Sequence, residues 1–191
     1  RAISKQTLQD LQVTEGPEFM PQTGKTENAI QFNYFMGDQL INIKYRDGRK
    51  NFKLYKGAEK VFYNINSVVG YDWCVVVEGE MDVLALHEAG IKNAISVPNG
   101  ATLNTNNLDY LDNCIDYLDD KTKIILAVDA DAAGQALRAE FIRRLGAEVC
   151  YLVDFNGQKD ANEYLIENGA EKLRNAIHTS SQVPLEGVTT L

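Results

Sequence analysis

The sequence predicts an α/β fold: a mainly parallel sheet flanked by helices over residues 70–178, preceded by a small β-rich subdomain over residues 1–68. Three observations predict it. From Trp73 onward, short uninterrupted apolar runs alternate with stretches of helical periodicity, the pattern of strands buried on both faces and joined by helices. Each of the main runs leads into a cluster of carboxylates. Charge is also divided along the chain: residues 1–70 carry 10 Lys and Arg against 7 Asp and Glu, whereas residues 71–191 carry 9 against 20.

The elements follow in order. QLINIKYR and RKNFKLY flank Asp47-Gly48, a pair that tolerates the positive φ of a type I′ turn and so predicts a hairpin. WCVVV (73–77) reads as a buried strand, and Met81, Leu84, Ala85 and Glu88 recur at helical spacing behind it, with Gly90 as the stop. AISV (94–97) is the next strand, Pro98-Asn99-Gly100 a turn, and residues 106–118 an amphipathic helix with Leu108, Leu111, Ile115 and Leu118 on one face. KIILAV (123–128) and EVCYLV (148–153) are strands separated by a helix over 132–145 that Gly146 closes, and a last helical region opens at Asp160. With no hairpin signal between them, these strands are expected to be parallel and joined by right-handed crossovers. Residues 179–191 lack periodicity and read as a linker.

Composition sets bounds. A length of 191 residues, 45% hydrophobic, with no apolar run of about 18, suits a cytoplasmic globular protein without a membrane span or signal peptide. Cys74, Cys114 and Cys150 show no CxxC spacing, which argues against a disulfide framework or a zinc site. His87 and His178 also lie outside ligand spacing. The net charge of −8 is unlike that of a uniformly basic nucleic-acid binder. Its division between the halves instead predicts a basic surface for a polyanion beside an acidic region for cations. Gly24-Lys25-Thr26 mimics the end of a phosphate-binding Walker loop, but Phe19 stands where the first glycine belongs, so it reads as a plain loop.

The carboxylates fall at strand ends, where open α/β sheets bind ligands. Glu78 directly follows Val75-Val76-Val77, a costly place for a charge without a purpose. Glu80 and Asp82 follow in the first helical turn, where they could also simply complement the helix dipole. Asp129 and Asp131 end the next strand; Asp131 could equally be an N-cap. Asp160 lies beyond the third strand and could also be a cap. Hard oxygen ligands converging from three strand ends suit Mg²⁺, which relieves their mutual repulsion. Lys44, Arg46, Lys50 and Lys53 alternate with Tyr45, Phe52 and Tyr55, a mixture able to bind phosphates and stack bases of single-stranded DNA, although lysines also protect ordinary edge strands.

Glu78-Gly79-Glu80-Met81-Asp82 followed by Asp129-Ala130-Asp131-Ala132-Ala133-Gly134 resembles the E-G-x-x-D and D-x-D-x-x-G signature of Toprim domains. The order IKYRDGRKNFKLYKG, VVVEGEMDVL, SVPNGA, LAVDADAAG and KDANE resembles the Toprim DNA primases of phage-type, Twinkle-like primase–helicases over residues 30–190. That resemblance implies a Toprim fold carrying the RNA-polymerase domain of a primase, which makes short RNA primers from ribonucleoside triphosphates on a single-stranded DNA template. It implies Glu78, Asp129, Asp131 and Asp160 as ligands of a two-metal Mg²⁺ site that also accepts Mn²⁺. Glu78, Asp129 and Asp131 would be the catalytic set, and Asp82 a supporting residue. Lys44, Arg46, Lys50, Lys53 and Lys159 would contact template or nucleotide, and a replicative helicase in cis or trans would be the partner. The family's zinc module and Walker-motif helicase would lie outside these residues. A Toprim nuclease using the same carboxylates, and a catalytically silent DNA-binding domain serving a helicase, are the alternatives.

Overall fold

The computed structural model describes residues 2–101 and 108–184. Its first sheet is an antiparallel meander of β1 (Thr14–Met20), β2 (Lys25–Met36), β3 (Gln39–Arg46) and β4 (Phe52–Leu54), in that spatial order. The Gly24-Lys25-Thr26 segment is the turn and first residues of the β1–β2 hairpin, as expected of a loop rather than a nucleotide cradle. Before the sheet comes a short helix that the periodicity did not predict, α1 (Lys5–Asp10), capped by the Ser4 hydroxyl and packed on the later helix α2 (Glu80–Glu88).

The expected hairpin forms, but its turn differs. Arg46 pairs with Phe52, so five residues, 47–51, make the connection, and the left-handed position falls on Lys50 rather than on Gly48. Asp47 is the reason. Its buried carboxylate accepts hydrogen bonds from the backbone N–H groups of Arg49 and Asn51 and from the Asn51 amide, which folds the loop around the side chain instead of around a two-residue turn.

The second sheet has the order β6-β5-β7-β8-β9, with β5 (Trp73–Val77), β6 (Ala94–Ser96), β7 (Lys123–Leu126) and β8 (Cys150–Leu152) all parallel. The parallel α/β reading therefore holds. Strand β9 (Ser181–Gln182) is added antiparallel to β8 at the edge. The stretch expected to be a linker thus begins inside the sheet; residues 185–191 lie outside the described part. A two-residue edge strand carries too little pattern to be seen in advance.

Residues 106–118 are not one amphipathic helix. Only α3 (Asp109–Asp112) and a 3₁₀ turn at Ile115–Tyr117 form, Leu108, Leu111 and Leu118 are buried, and Ile115 is exposed; residues 102–107 lie outside the described part. Asn113 interrupts the run: its amide donates to the Lys60 carbonyl at 2.9 Å, a tertiary bond that competes with helix continuation. Two longer helices follow as predicted, α4 (Ala132–Leu145) and α5 (Ala161–Asn168), and then α6 (Ala170–His178).

One apolar core joins both sheets. Phe32 and Tyr34 of β2 pack with Phe62, Tyr63 and Ile65 of the connection and with Val75–Val77, Ile124–Leu126 and the inward faces of α2 and α4. A smaller cluster of Met20, Ala29 and Tyr45 fills the far face of the meander. Helix α2 is buried almost all round, because α1, α5 and α6 cover the side away from the sheet. The three cysteines are free and buried, consistent with structural thiols. Among the described residues no helix is long and apolar enough to cross a membrane.

Candidate active site

Strand register brings the carboxylates to one edge. Val76 pairs with Leu126 and Leu126 with Leu152, so the three strands leave the sheet at the same level. Beyond that level stand Glu78, Asp129 and, after a loop, Asp160. Asp82 joins them one helical turn above Glu78. Carboxylate oxygens of Asp82, Asp129 and Asp160 all lie within 4.8 Å of one another. Glu78 and Asp131 flank Asp129 outside that group of three.

Four of the five carboxylates accept from backbone amides, and Asp129 is met by the Lys159 ammonium. Glu78 Oε1 accepts from Asp129 N at 2.9 Å, and Oε2 accepts from Ala101 N at 3.3 Å, so this side chain ties together the turns that follow β5, β6 and β7. Asp82 Oδ1 accepts from Asn162 N at 3.0 Å, linking α2 to α5. Asp131 is more than half exposed and caps α4, accepting from Ala133 N and Gly134 N. Asp160 caps α5 through Glu163 N at 2.7 Å. Both caps therefore exist, and capping explains more of Asp131 than of Asp160, which also belongs to the carboxylate group.

The electrostatics follow from crowding. Burial, with the nearby Asp129 charge, pushes Glu78 up to about 7. Burial and the Asp160 charge hold Asp82 well above the ordinary aspartate range. Asp129 is raised by burial too, although Lys159 partly offsets this. Lys159 Nζ lies 2.9 Å from Asp129 Oδ2 and 3.9 Å from Asp131 Oδ2, and the Asp129 contact raises its own pKa. A clustered, partly buried set of oxygen donors, paired among the described residues with the Lys159 ammonium, fits a hard divalent cation.

The basic residues divide. On β3, Lys44 and Arg46 share one face, and both cations lie over the Phe52 ring, at 5.1 and 5.3 Å from its centroid. They line a cleft of about 490 Å³ whose opposite wall carries Glu78, Asp82, Asp129 and Asp160. Lys53 also lines this cleft, yet its ammonium pairs with Glu18 at 2.6 Å and lies over Tyr45. Lys50 is exposed at the loop tip, outside the residues that line the cleft. Period-two alternation explains the split, since Lys44 and Arg46 pair with Leu54 and Phe52 while Lys53 pairs with Tyr45.

The partner of Glu80 escaped the sequence reading, which saw in that residue only a complement to the helix dipole. Glu80 is buried, receives Lys44 Nζ at 2.9 Å and also accepts from the Tyr34 hydroxyl, so it bolts the meander to α2 beside the carboxylates. The signal was present in part: Asn42, Lys44 and Arg46 form a polar face on β3, which needs an acidic or aqueous counterpart.

A Toprim-like family model matches residues 75–165. The chain is 36% identical over 203 residues to a primase homolog protein of Arabidopsis thaliana, covering 97% of this chain and 58% of the relative. It is 33% identical over 205 residues to the Twinkle homolog protein, chloroplastic/mitochondrial, of the same plant, covering 98% of this chain and 28% of the relative. The chain thus spans only part of these relatives. In three dimensions it is similar to the primase fragment of the bacteriophage T7 primase-helicase protein, with a TM-score of 0.77 and 26% identity over 93% of this chain and 72% of that one. The chain thus carries a Toprim-like domain over residues 75–165 and is similar over nearly its whole length to primases of the phage and Twinkle type.

Proposed function

We propose that the chain is the catalytic core of a DNA primase, synthesising short RNA primers from ribonucleoside triphosphates on single-stranded DNA. One observation carries this reading: a single cleft has the Asp82, Asp129 and Asp160 carboxylates on one wall and Lys44, Arg46 and Phe52 on the other. A metal-dependent phosphoryl transfer needs both walls, one to hold divalent cations and one to hold phosphates and bases. The basic meander over 1–68 would serve template and nucleotide, and the α/β part over 70–178 would serve the chemistry.

In this reading Asp82, Asp129 and Asp160 hold Mg²⁺, with Mn²⁺ as a substitute and Asp131 as a further ligand toward solvent. The bound ions would neutralise the triphosphate and lower the pKa of the attacking hydroxyl. Glu78, fixed by two backbone amides and poised near neutrality, positions Asp129 and can take up a proton close to the reacting atoms. Arg46 and Lys44 face the same cleft and neutralise incoming phosphates, while Phe52 offers a ring for stacking. Lys53 and Lys50, outside that face, would track the template backbone. Lys159, beside Asp129, would exchange its carboxylate partners for a phosphate. A helicase, joined in the same polypeptide or recruited, is the expected partner, as the relatives' names suggest.

The test is direct. The full chain, with Mg²⁺, ribonucleoside triphosphates and a single-stranded DNA library, should yield short labelled RNA, and Asp129→Ala should abolish it. Wild-type chain that yields no RNA, alone or with a helicase of this family, or RNA that Asp129→Ala leaves unchanged, sinks the proposal. Fragmentation of the DNA with Mg²⁺ and no nucleotides would point to a nuclease instead.

A further inference from the structure

A second cavity, of about 580 Å³, lies among α4, the end of α6 and the loop between β8 and α5. It shares no lining residue with the catalytic cleft, yet the two interleave along the chain. Asp129 and Asp160 face the cleft, whereas their neighbours Ala130 and Lys159 line the second cavity. The wall is preformed: Asn156 and Gly157 both have positive φ and Gln158 N donates to Phe155 O at 3.1 Å, a tight turn that fixes Phe155 and Gln158.

Two polar atoms there lack partners. Arg138 lines the cavity with its Nε shielded from solvent and without a hydrogen-bond acceptor, and no described carboxylate forms an ion pair with it. Gln158 Oε1 is likewise buried and receives no donor. Shielded polar groups left unpaired are costly, and native folds rarely keep them without a ligand or water. The one carboxylate on the wall, Asp154, is engaged by Asn156 N at 2.7 Å. Phe155 and Leu152 add an apolar surface.

The missing partners define the ligand. Arg138 calls for an anion, and a guanidinium fork matches a phosphate. Gln158 Oε1 calls for a hydroxyl or amino donor set apart from the anion, which a nucleoside carries on its sugar and base. Apolar wall and volume suit a base and sugar, within the range of small-molecule sites. We propose that this second cavity binds a free mononucleotide, with Arg138 on its phosphate and Gln158 accepting a hydrogen bond from its sugar or base.

The experiment records ¹H–¹⁵N spectra of the full chain in EDTA while AMP, ATP or an oligodeoxythymidylate is added. The Gly157 amide reports on the second cavity and Gly100 on the cleft. Saturable movement of Gly157 with AMP or ATP is expected, with binding weakened about tenfold or more in Arg138→Gln. Gln158→Leu, in a surface loop, should weaken it also and replaces the first variant if that one fails to fold. A Gly157 resonance that stays still with mononucleotide, that responds only to the oligonucleotide, or that moves alike in wild type and both variants overturns the proposal. Primer synthesis is not the readout, so failure of the catalytic reading leaves this result intact.

Discussion

Lys44 of β3 and Glu80 of α2 form a buried ion pair at 2.9 Å, with side chains only 10% and 3% exposed, and it joins the meander to the carboxylate-bearing half. Removing one partner leaves the other charge buried and uncompensated, a loss of about 3–5 kcal/mol. Lys44→Met should therefore lower stability in urea by that order. The double variant Lys44→Met/Glu80→Leu should be less unstable than Lys44→Met alone, because neither charge is then stranded. Equal destabilisation of the single and double variants would show that the pair contributes no coupling.

The carboxylate cluster predicts an inverted pH response. Burial, then the charge of Asp129, raises Glu78 from its ordinary value of 4.5 to about 7, and Asp82 and Asp129 shift the same way. A carboxylate raised in the folded state binds its proton there more readily than in the unfolded chain. Its contribution is full below the unfolded pKa and is lost as pH rises through the folded one. For Glu78 that window runs from about 4.5 to 7. Melting temperature should fall across it, Glu78→Gln should flatten the fall, and millimolar Mg²⁺ should reverse it. A melting temperature that climbs across this window in wild type but not in the variant would contradict the assignment.

Gly134 is required for space rather than for backbone freedom. A Cβ there would stand 2.2 Å from the Asp129 carbonyl oxygen and 2.5 Å from Glu78 Oε1. Alanine would favour the helix by up to about 1 kcal/mol, but the overlap costs about 1–3 kcal/mol. Gly134→Ala should therefore be destabilised in urea despite its better helix propensity, and primer synthesis should fall more than stability explains, since the clash moves both Glu78 and Asp129. An unchanged rate would mean that neither group needs its present position.

What was legible in the sequence follows from how local each signal is. Buried parallel strands announce themselves as apolar runs, so Val75–Val77 and Ile124–Leu126 placed Glu78 and Asp129 at strand ends without coordinates. Asp160 and Asp82 required knowledge of which loop and helix meet, and sequence spacing carries that only through family motifs. The Lys44–Glu80 pair spans 36 residues and joins a strand of the meander to a helix of the other half, and no periodicity encodes such a contact. Asp47 misled for a related reason: Asp-Gly favours a tight turn in isolation, but the carboxylate found more donors by folding a longer loop. Short pieces such as α1 and β9 are held by tertiary packing, not by their own pattern.

Lys159 should compete with a divalent cation for Asp129. Its ammonium lies 2.9 Å from Asp129 Oδ2 and 3.9 Å from Asp131 Oδ2, where it partly neutralises the acidic wall of the cleft. The side chain is 59% exposed, so the pair is weak and solvent-screened, worth about 0.2–1 kcal/mol. Lys159→Gln should consequently tighten Mn²⁺ binding in the absence of nucleotide by about twofold to fivefold, measured by titration of the free ion's paramagnetic signal. With nucleotide present the sign should reverse for catalysis: primer synthesis should fall, because the ammonium displaced from Asp129 is no longer there to meet a phosphate. Raising ionic strength should shrink the difference in Mn²⁺ affinity, as expected for exposed charges. Mn²⁺ affinity that is unchanged or weaker in Lys159→Gln would show that the lysine supports the site instead of competing for it.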